Sequence, residues 1–155
     1  MEVATIFFCL VLSYLLGAIP FGLIIVKIST GKDVRQVGSG RTGGTNAMRA
    51  GGVVAGVLTA IFDVLKGVMA VYIASLVFPN NAWLHVGCGL AAIIGHNYSI
   101  FLMKRDDRGK MILTGGAGGA TCLGGAIGIW WPIWSIILPL GLLVYICIGF
   151  ASVTT

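Results

Sequence analysis

Long apolar runs dominate this sequence and confine its charged residues to a few short segments. Charged residues make up 10% of the chain and hydrophobic residues 57%, whereas about a quarter of a typical soluble domain is charged. Several runs reach the roughly 20 apolar residues that a helix needs to cross a bilayer. The sequence therefore predicts an integral membrane protein and excludes a water-soluble enzyme and a disordered chain.

The apolar runs predict an all-α, polytopic helix bundle, a single membrane domain over residues 1–155 with about five transmembrane helices. The predicted spans are residues 3–26, 53–78, 82–103, 114–130 and 133–153, and the charged loops are residues 27–52 and 104–113. These two loops hold lysines and arginines, and the other two connections hold none. The positive-inside rule therefore places both loops in the cytoplasm and the N-terminus outside. No basic residues follow the fifth span. Two interpretations therefore stay open: a complete short protein, and a sequence that was cut before further helices.

Residues 38–52, here called the glycine-rich segment, form the strongest candidate site, because six of these fifteen residues are glycine. Glycine allows positive φ and lets backbone N–H groups approach a ligand closely. Hydroxyl, amide and guanidinium groups in the same segment suit a phosphate or another oxyanion. The alternative is a flexible cytoplasmic loop whose arginines only set topology. The candidate residues are Gly38, Ser39, Gly40, Arg41, Thr45, Asn46 and Arg49.

Polar residues also occur on the second and third spans. Asp63 and Lys66 are three residues apart and share one helix face, where ionisable groups are costly unless they are paired. They either pair with each other or serve a polar site, and both roles can hold together. His96 and Asn97 lie near the cytoplasmic end of the third span. A lone histidine is more often structural than catalytic. His96, however, lies at the same membrane face as the glycine-rich segment, which favours a role in the site.

Glycine is frequent again where the fourth span begins. A glycine-rich helix N-terminus presents backbone N–H groups to an anion, and the candidates here are Gly115, Gly116 and Gly118. Small residues also recur at every fourth position from Gly116 to Gly128, which predicts a face for close helix packing. Together with the glycine-rich segment, this stretch falls on one membrane face. The sequence thus predicts a single anion site that faces the cytoplasm.

The remaining composition argues against other classes of site. The net charge of +5 lies mainly in the loops, so it indicates membrane topology and not a nucleic-acid surface. The four cysteines stand alone in apolar runs, without the spacing of zinc ligands or of a disulfide framework. The residues therefore predict no metal, no cofactor and no nucleic-acid partner, and they leave the oligomeric state open.

Four motifs, in this order, resemble those of a known family, the bacterial acyl-phosphate:glycerol-3-phosphate acyltransferases of the PlsY type. The motifs are Tyr14-Leu-Leu-Gly-Ala-Ile-Pro-Phe-Gly22, Gly38-Ser-Gly-x-x-Gly-x-Thr-Asn-x-x-Arg49, Asp63-Val-Leu-Lys-Gly67 and Gly95-His-Asn-Tyr-Ser-Ile-Phe-Leu102. The resemblance covers essentially the whole chain.

The chain also departs from the family pattern. Arg41 stands where the family usually has asparagine, and Ala117 stands where its next glycine motif has lysine. That motif follows an inserted stretch, so Lys110 or Arg108 is the hypothesised replacement cation. The family has more spans than this chain, and a later segment of it contributes histidine and asparagine to the site. The chain is therefore interpreted as a divergent branch or a truncated sequence.

The resemblance implies transfer of a fatty acyl group from acyl phosphate to glycerol 3-phosphate, which forms lysophosphatidic acid for phospholipid biosynthesis in the cell (inner) membrane. It also implies contact with membrane lipid and an acyl tail that lies between helices, along the small-residue face of the fourth span. The catalytic residues that it implies are Ser39, Arg49, His96 and Asn97. The implied phosphate-binding residues are Gly38, Gly40, Arg41, Thr45, Asn46, Lys66, Lys110, Gly115, Gly116 and Gly118, with Asp63 in support. Two alternatives stay open, namely a small membrane transporter of an organic phosphate and a catalytically inactive relative that binds phosphate.

Overall fold

A computed structural model describes residues 1–148 of the chain as a helical protein with one β-hairpin. The helices are α1 (Glu2–Ala18), α2 (Phe21–Thr30), α3 (Gly44–Val77), α4 (Ala82–Asn97), α5 (Gly119–Ile129) and α6 (Trp134–Ile148), and the strands are β1 (Ser99–Arg105) and β2 (Met111–Thr114). Helices α1 and α2 together, and α3 alone, are long and apolar enough to cross a bilayer. The predicted helical architecture is therefore confirmed for these residues, and the expected end of the fifth span at Val153 lies outside them.

The hairpin departs from the all-α prediction. The third predicted span, 82–103, ends as a helix at Asn97, and β1 instead pairs antiparallel with β2. A short apolar run is compatible with a strand as well as with a buried helix, so its hydrophobicity alone did not separate the two. The fourth helix begins at Gly119 and not at residue 114, because Thr114 belongs to β2 and Gly118 has a left-handed φ of 88°.

Helix α3 begins at Gly44, inside the predicted loop of residues 27–52. It is interrupted at Gly52, whose φ of 84° and ψ of 178° are not helical. Since glycine alone adopts such a backbone conformation without strain, this residue kinks the helix between the part that carries the glycine-rich segment and the part that follows.

The first apolar run is divided into α1 and α2 at Ile19 and Pro20. Proline has no backbone N–H, and a break in a helix leaves carbonyl groups without their usual partners. The Ala18 carbonyl accepts a hydrogen bond from the Ser99 hydroxyl at 2.5 Å, and the Ile19 carbonyl accepts one from the Lys66 ammonium at 3.1 Å. The break is thus stabilised by two polar side chains from other elements, as an apolar surrounding requires.

Glycines set how closely the helices approach. A Cβ atom at Gly124 of α5 would overlap the Val64 carbonyl of α3, and a Cβ atom at Gly128 would lie 2.8 Å from the Val71 Cβ atom. The small-residue face of α5 is therefore packed against α3, in agreement with its predicted use. At Gly124 and Gly128 this face leaves no space for an acyl tail, and the expected course of the tail elsewhere between the helices stays a prediction.

The two charged connections lie at the same end of the bundle. The Thr42 N–H, in the connection between α2 and α3, donates to the Gly115 carbonyl, in the connection between α4 and α5, at 3.4 Å. The turns at 78–81 and 130–133 lie at the other ends of these helices. The predicted convergence of the polar segments on one end is thus present in the fold.

We predict that Gly124→Ala destabilises the protein, because the added methyl group overlaps the Val64 backbone, and overpacking of this kind costs about 1–3 kcal/mol. Gly125→Ala is the matched control, because its Cβ atom would meet nothing closer than the Gly89 Cα atom at 3.6 Å. Both residues lie inside α5, so the gain in helix propensity is the same in the two variants. Thermal unfolding in detergent micelles measures the difference, and equal midpoints would contradict the prediction.

Candidate active site

A cavity of about 380 Å³ opens at the end of the bundle where the charged connections meet. It is lined by Arg35, Ser39, Gly40, Arg41, Asn97, Tyr98, Lys104, Leu113, Thr114, Gly115 and Gly116. Three of these lining residues are cations and none is a carboxylate, so the cavity favours an anion. A depression of about 640 Å³ at the opposite end is lined by Glu2 and residues 77–83, and no cation lies among these residues.

The buried side chain of Asn46 gives the glycine-rich segment its shape. Its Nδ2 donates to the carbonyls of Val34, Val37 and Arg41 at 2.9–3.0 Å, and its Oδ1 accepts from the Ser39 N–H at 3.2 Å. A side-chain amide has two N–H groups, so its donor capacity is used entirely within the protein. Asn46 thus holds the segment that forms the cavity wall, and its expected binding of phosphate stays a prediction.

Ser39, Gly40 and Arg41 form one wall of the cavity. Gly38 and Gly40 have φ angles of 52° and 69°, which favour glycine and allow the chain to turn tightly around Ser39. The Ser39 Oγ atom accepts from the Arg41 N–H at 3.4 Å, and both side chains are exposed. A hydroxyl and a guanidinium are thus available to an anion on this wall.

Arg35 lines the same cavity, although no sequence motif singled it out. Its guanidinium contacts both carboxylate oxygens of Asp33 at 2.6–3.2 Å. These hydrogen bonds lower the pKa of Asp33 to about 2 and raise the pKa of Arg35. Asp33 therefore balances part of the Arg35 charge. Arg41 and Lys104 are the lining cations that form no ion pair within residues 1–148.

Asn97 and the glycines before α5 form the facing wall. Gly115 and Gly116 line the cavity, but the Gly116 N–H donates to the His96 carbonyl at 3.0 Å and is not available to a ligand. Gly118 has a φ of 88°, and a Cβ atom there would lie 2.6 Å from Asn97 Oδ1. That oxygen is buried and has no hydrogen-bond partner in the described part of the chain. Gly118 thus makes room for the Asn97 amide and does not line the cavity itself.

Lys66 connects three helical segments behind this wall. Its Nζ atom lies 2.9 Å from Asp63 Oδ1, 2.7 Å from His96 Nδ1 and 3.1 Å from the Ile19 carbonyl oxygen. Asp63, Lys66 and His96 are all buried. The predicted pairing of Asp63 with Lys66 is present. Lys66, which was expected to bind phosphate, does not line the cavity.

His96 does not line the cavity, and its ring lies behind the wall. Its Nδ1 atom lies 2.7 Å from the Lys66 Nζ atom and 3.5 Å from Asp63 Oδ1. The ring packs directly under Gly116, where a Cβ atom would overlap Nε2. His96 is thus covered by the backbone of Gly116, which lines the cavity, and the expected catalytic role of His96 stays a prediction.

The other expected residues lie around the cavity without lining it. Arg49 is exposed, and its Cδ atom would lie 3.3 Å from a Cβ atom at Gly38, so its side chain runs beside the glycine-rich segment. Thr45 is exposed in the first turn of α3. Lys110 is exposed where β2 begins, and its N–H donates to Asp106 Oδ1 at 2.8 Å. The cavity instead receives Lys104 from β1.

Comparisons with known proteins agree with one another. Residues 7–155 match the family model described as glycerol-3-phosphate acyltransferase. The chain is 41% identical over 128 residues to the glycerol-3-phosphate acyltransferase of Brucella anthropi, which covers 83% of this chain and 58% of that relative. The crystal structure of PlsY (YgiH), an integral membrane glycerol 3-phosphate acyltransferase, in its glycerol 3-phosphate form is 34% identical with a TM-score of 0.83, and the match covers 97% of this chain and 70% of that one. Its lysophosphatidic acid form has a TM-score of 0.80 at 32% identity, with 97% and 69% covered. The chain thus spans a little under three fifths of the length of the first curated relatives that it matches, 58% and 59%.

We predict that Lys66→Met lowers the free energy of unfolding by about 3–5 kcal/mol, because it leaves the buried Asp63 carboxylate without its cation. The double variant Asp63→Asn/Lys66→Met removes both charges and should be more stable than the single variant. Denaturant unfolding of the purified protein in detergent measures both. Equal stabilities of the single and double variants would show that the ion pair does not decide the packing here.

Proposed function

Because the chain belongs to the glycerol-3-phosphate acyltransferase family, we propose that it transfers a fatty acyl group from acyl phosphate to glycerol 3-phosphate. The product is 1-acylglycerol 3-phosphate, a lysophosphatidic acid used in phospholipid biosynthesis. The observation that carries this proposal is the cavity lined by three cations at the polar end of an apolar helix bundle. Both substrates of the reaction carry a phosphate, and one also carries an apolar chain, so such a cavity suits the pair.

The reaction needs little covalent help from the protein, because the acyl group of acyl phosphate is already activated. The glycerol hydroxyl oxygen attacks the acyl carbonyl carbon and forms the ester bond. The bond from this carbon to the phosphate oxygen breaks, and the hydroxyl proton and the phosphate together leave as hydrogen phosphate. The protein mainly has to hold two anions close together and to stabilise the charge on the carbonyl oxygen.

The residues of the cavity divide these tasks. Arg41 and Ser39 bind phosphate oxygens from one wall, and Asn97 orients substrate from the other. Arg49 adds positive charge beside Gly38, next to the cavity wall. Forked N–H groups on a guanidinium bind phosphate in two bonds at once, which fixes its orientation as well as its position. Neither a metal nor a cofactor is part of the proposed reaction.

The membrane arrangement is part of the same proposal. The solved relative is described as an integral membrane protein, and two apolar helices of this chain are long enough to span. We place the N-terminus outside the cell membrane and the cavity on the cytoplasmic side, with about five spans as predicted from apolar length. The basic residues near the cavity support this orientation, since topogenic charges stay in the cytoplasm.

The transporter and the inactive relative predict different outcomes. A transporter would move an organic phosphate across vesicles without acylating it, and an inactive relative would bind phosphate without turnover. The names of the matching relatives favour acyl transfer. Formation of lysophosphatidic acid by membranes that carry the full chain, with acyl phosphate as donor, tests the proposal against both alternatives, with acyl-CoA and acyl carrier protein as parallel donors.

We predict that Arg49→Ala lowers kcat/KM for acyl transfer about 100- to 1000-fold, the usual loss when one group that stabilises transition-state charge is removed. Lys32→Ala is the control, because Lys32 is an exposed cation of the connection before α3 and lies outside the glycine-rich segment, whereas the Arg49 side chain runs beside Gly38. The assay is the rate of lysophosphatidic acid formation in isolated membranes with equal protein content. If Arg49→Ala behaves like Lys32→Ala, Arg49 has no part in the reaction.

Orientation is tested by labelling with a thiol reagent that does not cross membranes, in a variant without the native cysteines. Lys32→Cys, in the connection between α2 and α3, should react only in inside-out vesicles, because the proposal places it in the cytoplasm. Asn80→Cys, in the turn between α3 and α4, should react only from the outside. The reverse pattern would mean that the cavity faces away from the cytoplasm.

A further inference from the structure

We propose that Lys104 of the hairpin binds the phosphate group of glycerol 3-phosphate. This inference rests on the proposed function and adds a residue that neither the motifs nor the family pattern assigned. It also replaces Lys110 as the cation that the inserted stretch supplies. Lys104 lines the cavity together with Leu113, Thr114 and Gly115, while Lys110 does not.

The geometry of β1 directs Lys104 to the cavity. The pairing of β1 with β2 is irregular between Ser99 and Lys104 and regular again at Lys104 and Arg105, where successive side chains lie on opposite faces of the strand. Lys104 pairs with Ile112 of β2, and the next residues of β2 line the cavity as well. Arg105 follows on the other face of the strand and is absent from the lining. One of two neighbouring cations thus reaches the cavity and the other does not.

The charge balance gives Lys104 its importance. Arg35 shares its charge with Asp33 at 2.6 Å, so it attracts a phosphate less than an unpaired cation would. Arg41 and Lys104 lie on different elements that line the same cavity, and within residues 1–148 neither forms an ion pair with a carboxylate. A dianionic phosphate between them would be neutralised by two cations through charge-assisted hydrogen bonds.

The position of the hairpin indicates which phosphate is bound. Lys104 is exposed and lies on an element outside the helices. Acyl phosphate is held in the lipid by its apolar chain, whereas glycerol 3-phosphate is soluble and enters from water. The phosphate that reaches this exposed lining cation from water is therefore that of the soluble substrate. Lys104 should affect the KM for glycerol 3-phosphate and not the KM for acyl phosphate.

The test compares Lys104→Gln with Arg105→Gln, which removes the same charge from the other face of the strand. Lys104→Gln should raise the KM for glycerol 3-phosphate about tenfold, the loss typical of one charged hydrogen bond, and leave kcat and the KM for acyl phosphate within about twofold of the wild type. Arg105→Gln should change none of these constants, and Lys104→Arg should restore most of the affinity. Equal KM values in the two glutamine variants, or a rise only in the KM for acyl phosphate, would overturn the inference.

Equilibrium binding of glycerol 3-phosphate to the purified full chain separates this inference from the proposed function. If the wild type binds it about tenfold more tightly than Lys104→Gln does but forms no lysophosphatidic acid, the proposed function fails and the binding role of Lys104 stands. If the wild type forms product and both proteins bind equally, only the role of Lys104 fails. If the wild type does not bind glycerol 3-phosphate at all, both fail.

Discussion

A buried ammonium group connects the fold of this protein to its cavity. Lys66 of α3 contacts Asp63 on its own helix, His96 on α4 and the Ile19 carbonyl at the break between α1 and α2. A buried charge is strongly unfavourable unless partners surround it, so these helices must dock in one register for Lys66 to find all of them. The same register sets the His96 ring under Gly116, and through this contact the interior ion pair defines the floor of the cavity.

The glycines of this chain serve two different purposes. Gly124 and Gly95 lie in helices and allow neighbouring backbones to approach closely, as is common in membrane bundles. Gly38, Gly40 and Gly118 instead have positive φ and shape the walls of the cavity. Apolar packing between the helices and tight polar turns at one end of the bundle thus leave a basic cavity at that end.

Much of this architecture follows from the sequence, because apolar length and charge position are local properties. The helices, the convergence of the polar segments and the pairing of Asp63 with Lys66 could be predicted in this way. The hairpin could not, since an apolar stretch at 99–103 fits a helix as well as a strand. The role of Asn46 depends on carbonyls of Val34 and Val37 that the chain brings to it only when folded. Lys104 was recognisable as a charge, but only the strand geometry shows which way it points.

The hydrogen bonds of Asn46 have a further consequence for the binding of an anion in the cavity. Because they fix the backbone around Ser39 before any ligand arrives, the cavity is preorganised. Binding therefore does not have to order a flexible chain, which would cost about 1–2 kcal/mol of conformational entropy per residue. A few contacts can then suffice to capture a small dianion. A wall held in this way does not have to fold around a ligand when it binds.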